Sequence, residues 1–116
     1  MFPATVLLGI AAVGGLAMAL IRFTGTPRPP TWLAMLHGVL AASGLVLLIN
    51  AALTVGVPQL AKIALGLLIL AALGGAYINL QFHWKNLPLP IPLILLHAGI
   101  AVAGFACLLV AVLQSG

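Results

Sequence analysis

Four nearly unbroken apolar runs dominate the chain and leave few folds open to it. They cover about residues 3–22, 31–54, 58–82 and 90–113. Each meets or exceeds the roughly 20 residues that an α-helix needs to cross a bilayer. Inside the hydrocarbon a backbone has no water to bond, so spans of this length are helical. The breaks carry Pro and polar residues: TGTPRPP at 24–30, TVGVP at 54–58 and KNLPLPIP at 85–92. Proline suits a break or a first helical turn, not a helix interior. The expected fold is all-α, one transmembrane domain over residues 1–116, an up-down four-helix bundle in contact with lipid.

Charge narrows the function classes. The chain has no Asp or Glu, and Arg22, Arg28, Lys62 and Lys85 make up its 3% charged fraction, against roughly 25% in a soluble domain. That excludes a soluble enzyme and any carboxylate chemistry, whether acid–base catalysis, calcium binding or acid-based proton transport. Four dispersed cations form no basic stripe, so nucleic acid is not an expected partner. Arg22, Arg28 and Lys85 belong to the side of the 1–2 and 3–4 loops, and Lys62 to the other. The positive-inside rule then puts those loops in the cytoplasm and both termini outside, with Trp32 and Trp84 as interfacial anchors. The expected location is a bacterial inner membrane. Ala17-Met18-Ala19 resembles a signal-peptide cleavage site, but no cation precedes the run and the run is longer than a signal core, so helix 1 is expected to be retained.

An internal repeat organises the chain. Shifted by 60 positions, residues 4–53 fall on 64–113 without a gap, and 17 of the 50 pairs are identical, against about six expected by chance from so biased a composition. In helices 2 and 4 the identical pairs include Leu33/Leu93, His37/His97, Ala41/Ala101, Gly44/Gly104, Leu48/Leu108 and Ala51/Ala111. Their spacing of three or four keeps them on one helical face. In helices 1 and 3, Ala4/Ala64, Leu8/Leu68, Ala11/Ala71 and Gly15/Gly75 form a matching stripe, with Gly14/Gly74 beside it. A lipid-facing surface needs only hydrophobicity, so the shared stripes are expected to face inward. Two-helix units enter the membrane from the same side, so the halves are parallel repeats about a pseudo-twofold axis along the membrane normal.

His37 and His97 are then symmetry mates at equal depth, about six residues or roughly 9 Å into their helices. Ionisable residues inside a span are functional candidates by default. A lone histidine there can be an interhelical hydrogen-bonding group, but two on facing inner surfaces, with no carboxylate to pair them, need something between them. Helices 8–10 Å apart leave a diagonal of about 11–14 Å, room for two imidazoles reaching one central iron. Zinc wants four ligands, and Cys107 lies about 15 Å deeper than His97. Haem iron takes two axial ligands, and the porphyrin fills the remaining space. Gly14, Gly15, Gly74 and Gly75 lie at the depth of the histidines, where missing side chains make room for the macrocycle. Ordinary small-residue helix packing is the competing reading for them.

His on helices 2 and 4 with Gly on helices 1 and 3 resembles membrane b-type cytochromes. The layout is similar to the haem-carrying four-helix bundle of respiratory cytochrome b and to the ascorbate-reducible cytochrome b family. The resemblance rests on Leu36-His37, Leu96-His97 and the glycine pairs. It implies bis-His haem b ligation by His37 and His97. Those families carry a further His for a second haem, whereas positions 14 beyond each His are here Ala51 and Ala111. The resemblance therefore implies a single haem near one face.

The polar residues at that face suit the same cofactor. Arg22, Arg28, Lys85 and His83 are candidates to hold haem propionates by charge-assisted hydrogen bonds, while topogenic charge and snorkelling account equally well for the cations. His83 pairs with Phe23 in the repeat, so it is not a symmetric ligand and is expected at the interface. Tyr77 and Asn79, whose mates are Ala17 and Ala19, can bond within the bundle or to a bound ring. With both axial positions filled there is no open site for substrate, so the expected protein is an electron carrier rather than an enzyme, working beside a larger redox membrane complex or with quinone. The competing classes are a haem-free accessory subunit and a quinone-binding bundle.

Overall fold

The computed structural model describes residues 1–115. It is all-α. Helix α1 spans Phe2–Phe23, α2 Thr31–Thr54, α3 Gln59–Ile78 and α4 Ile91–Ser115; a π-helical turn, Asn79–His83, extends α3. All four spans, α3 with its π-turn, are long and apolar enough to cross a membrane. The 42 Å long axis of the bundle exceeds the roughly 30 Å hydrocarbon thickness.

Proline sets the starts. Pro3 lies in the first turn of α1, and Pro30 and Pro58 immediately precede α2 and α3. A proline in such a place fixes an extended or early-helical φ, and at the first turn it removes an amide that would have no partner. The links turn sharply at Gly25 (φ 113°), Gly56 (φ 81°) and Asn86 (φ 58°), in the left-handed region that Gly and Asn tolerate.

The helices form two hairpins, α1–α2 and α3–α4, which meet along the α1/α4 and α2/α3 seams. Helices α2 and α4 therefore stand on a diagonal. The two hairpins repeat each other's packing. A Cβ on Gly44 would lie 2.7 Å from Cγ of Leu8, and one on Gly104 would lie 3.0 Å from Cγ of Leu68. These approaches let the helices of each hairpin close together.

Packing is concentrated at the end that holds the α2–α3 link. Ala4, Leu8, Leu45, Leu48, Ala61, Ala64, Leu68, Leu108 and Ala111 form one buried cluster there, and Leu48 and Leu108 are fully buried. The other half of the bundle has no such cluster and surrounds a cavity. It is closed at its end by the two longer loops. Leu89 N–H donates to Pro27 O (3.1 Å) and Arg22 Nε to Leu89 O (2.9 Å). Arg28 Nη1 donates to Asn86 Oδ1 (2.8 Å).

Candidate cofactor site

The site begins with a carbonyl inside a helix. Nδ1 of His37, on α2, lies 2.7 Å from Ala11 O on α1, and Nδ1 of His97, on α4, lies 2.7 Å from Ala71 O on α3. A carbonyl oxygen only accepts, so each Nδ1 carries the hydrogen and donates it. Each neutral ring then presents a lone pair at Nε2, the atom a metal would use. Anchoring the far nitrogen on a backbone carbonyl is how metal-binding histidines are usually held in tautomer and orientation.

Glycine makes that anchor reachable. Gly15 and Gly75 lie one turn after the two alanines, and a Cβ on them would stand 3.0 Å from Cε1 of His37 and 2.9 Å from Cε1 of His97. Gly14 and Gly74 are looser, with their nearest imidazole-side atoms at 3.9 Å. The space that these glycines were expected to leave for a porphyrin edge is thus taken first by the imidazoles of their own hairpins.

The two rings stand 6.3 Å apart between centres, with planes at 82°. Metal–imidazole bonds are about 2.0–2.1 Å long. A ring nitrogen lies roughly 1.2 Å from its ring centre, so two imidazoles on opposite sides of one metal have centres about 6.4 Å apart. Edge-to-face aromatic pairs span about 4.5–7 Å, so spacing alone does not single out a metal. The tautomers show only which ring nitrogens are free. Among the described residues neither Nε2 has a protein partner and neither is sealed off, and two lone pairs cannot bond each other, so both are free to meet a metal or a hydrogen-bond donor. Among the described residues no cluster of three or more His, Cys, Asp or Glu exists, so the donor set is the imidazole pair.

Both rings line a cavity of about 750 Å³ between the hairpins, within the usual size range of cofactor sites. It is a slot. Its walls include Ala12, Leu16 and Val102 at the α1/α4 seam and Met35, Val39 and Ala76 at the α2/α3 seam. Leu16, Val39 and Val102 are all more than 60% exposed, so the slot reaches the outside of the bundle along both seams. Each hairpin contributes one imidazole to its wall. The wall is apolar apart from the histidines, Asn79 and one indole.

His83 differs from the interfacial position expected of it. The π-turn carries it inward, where it is 4% exposed, lines the slot and has Nε2 3.3 Å from Thr31 Oγ1. Asn79 lines the slot too, whereas Tyr77 faces outward against Phe82. Arg22, Arg28 and Lys85 stand at the loop end without lining the slot. Arg22, at the end of α1, and Arg28, in the first loop, both bond to the loop before α4, and Lys85 Nζ donates to Gln81 Oε1 at 2.7 Å. The structure therefore brings together His37, His97, Gly15, Gly75 and His83, with the cations outside the wall. Sequence reasoning missed Thr31 and the carbonyls of Ala11 and Ala71. The alanines carried a signal, since both belong to the identical repeat pairs four residues before Gly15 and Gly75.

Comparison with protein-family models, with curated proteins and with solved structures gives no match.

Proposed function

We propose that this chain is a membrane electron-transfer protein that holds one haem b between His37 and His97. The carrying observation is the imidazole pair. Both imidazoles line one slot, both tautomers are fixed by backbone carbonyls, and the ring-centre separation matches that of two ligands on one iron. The donor set also fits the chemistry, because imidazole nitrogens are haem-iron ligands and two of them would hold one iron.

Bound there, haem supplies one-electron chemistry. The chain's residues supply the rest. His37 and His97 would hold the group through their Nε2 atoms, and with both given over to it the protein would act as a carrier rather than an enzyme. Ala11 and Ala71 orient the imidazoles. The slot's alanines, leucines and valines exclude water, and a dry surrounding strengthens every electrostatic contact inside it. Arg22, Arg28 and Lys85 stand at the end where the carboxylates of the macrocycle would meet positive charge. A chain without acids has no internal partner for that charge. The arrangement resembles a single-haem membrane cytochrome b. Its redox partner is a larger membrane complex or quinone, and the charge bias puts the haem end at the cytoplasmic face of a bacterial inner membrane.

A reduced-minus-oxidised spectrum of the purified protein, reconstituted with haemin, tests this. Sharp bands of a low-spin bis-His centre are expected. A reconstituted sample without them overturns the reading.

A further inference from the structure

The two halves of the bundle match closely at the imidazoles and differ sharply at one place. Along the end of α3 and the π-turn stand Tyr77, Asn79, Gln81 and His83, where the first repeat has Ala17, Ala19, Ile21 and Phe23. Thr31, at the start of α2, likewise corresponds to Ile91. The polar substitutions come as a set, and two of them meet: Thr31 Oγ1 and His83 Nε2 are 3.3 Å apart across the α2/α3 seam. The π-turn produces the meeting. Trp84 N–H donates to Asn79 O and Leu87 N–H to Phe82 O, each at 2.9 Å and each spanning five residues. The added residue turns His83 inward while Trp84 stays 56% exposed.

A pair of propionates does not explain a polar wall at one seam only. The equivalent positions at the α1/α4 seam are Ile91 and Phe23, so among the described residues that seam has no counterpart of the Thr31–His83 pair. What is one-sided here is a buried group able to gain or lose a proton. Among the described residues Nδ1 of His83 has no protein partner, and it is not sealed off. The groups around it are few. Arg28 on the first loop is the positive charge acting on it. Arg22 at the end of α1 and Lys85 beyond the π-turn are each held by a carbonyl or amide oxygen. Across the slot, His37 on α2 and His97 on α4 have their Nδ1 hydrogens committed to backbone. No Asp or Glu side chain exists in the chain to take up a proton in its place.

We propose that His83 is the proton-exchanging group of the site, so that electron uptake at the slot is accompanied by proton uptake at its imidazole. This rests on the haem reading above. One electron enters from an external one-electron reductant, and one proton enters from water at the loop end to the free ring nitrogen of His83. The charge of the slot is then unchanged. In a low-dielectric cavity an uncompensated charge is costly, and His83 is the buried group beside the slot that can offset it.

The repeat supplies the control substitution, since Phe stands at the equivalent position of the first hairpin. The midpoint potential of the haem-loaded protein in detergent is measured by spectroelectrochemistry at a series of pH values, for wild type, His83→Phe and His83→Gln. In wild type the potential falls as pH rises, over the range in which the imidazole titrates. The slope approaches about 59 mV per tenfold change in proton concentration, the one-electron limit. Both variants keep the haem bands and lose the slope; Gln keeps a hydrogen-bonding group beside Thr31 should Phe disturb the fold. A flat wild-type profile, or a slope retained in either variant, overturns the proposal and leaves the haem reading standing. Absence of haem bands in wild type overturns both.

Discussion

The imidazole of His97 lies so close to Gly75 that a Cβ there would stand 2.9 Å from Cε1. The ring cannot retreat without leaving Ala71 O, which its Nδ1 reaches at 2.7 Å. Alanine is favoured over glycine in a helix by about 1 kcal/mol, so propensity alone would make Gly75→Ala stabilising. The contact reverses that sign for the loaded protein. Loss of the group that orients a ligand histidine typically costs 10–100-fold in metal affinity. Gly75→Ala and Gly15→Ala are each expected to weaken haem retention by such a factor, measured as haem transfer to an acceptor protein. Gly14→Ala meets His37 Cβ only at 3.9 Å and should retain haem as wild type does.

The fold was largely legible because its causes are local. Hydropathy marked the spans and proline marked their starts, and α2 begins and ends at the residues expected of it. The end of α3 was not legible. Nothing in the period of the sequence distinguishes a fifth residue in one turn, so His83 was expected at the interface and lies inside. The site was half legible. Repeat identity matched the histidines with the glycines, but what sits above a glycine depends on how closely two helices approach, and composition does not encode that. The carbonyls of Ala11 and Ala71 were hidden for a simpler reason: every residue has one.

The packed end should set stability and leave the site untouched. Leu48 and Leu108 are fully buried among residues of the cluster far from the imidazoles. Leu→Ala in a core costs about 2–5 kcal/mol, part of it from the cavity left behind. In a bilayer the lipid is as apolar as the side chain, so the packing part dominates and the lower end of that range applies. Leu48→Ala and Leu108→Ala are expected to destabilise the bundle by about 2 kcal/mol in denaturation from detergent, with the positions of the haem bands unchanged.

Asn86 has a conformational role and a contact role that can be separated. Its φ of 58° costs an ordinary side chain roughly 1–2 kcal/mol, and its Oδ1 accepts from Arg28 Nη1 at an exposed position, where a polar contact contributes less than about 1 kcal/mol. Backbone strain therefore outweighs the contact. Asn86→Gly loses only the contact and should change the thermal midpoint of haem release little. Asn86→Val meets the strain as well and should lower that midpoint clearly. Equal loss in both variants would mean that the Arg28 contact, not the turn, holds the loops together.

Each imidazole is held by its own hairpin, which makes the two proposed ligands independent and gives a sharper test than deletion alone. His97→Ala removes one proposed ligand and leaves Gly75, the Ala71 carbonyl and the opposite His37 in place. The space vacated is that of an imidazole, with an oxygen ready to accept its N–H. Free imidazole added at millimolar concentration should therefore enter and restore the low-spin bis-nitrogen bands that the variant loses. His37→Ala should behave the same way, because Ala11 and Gly15 repeat the arrangement at matching distances. Rescue in both variants separates ligation from a structural role, since a histidine needed only for packing would not move an iron spectrum when supplied from solution. Failure of both variants to respond, with the bands of the variants unchanged from wild type, would remove His37 and His97 as ligands.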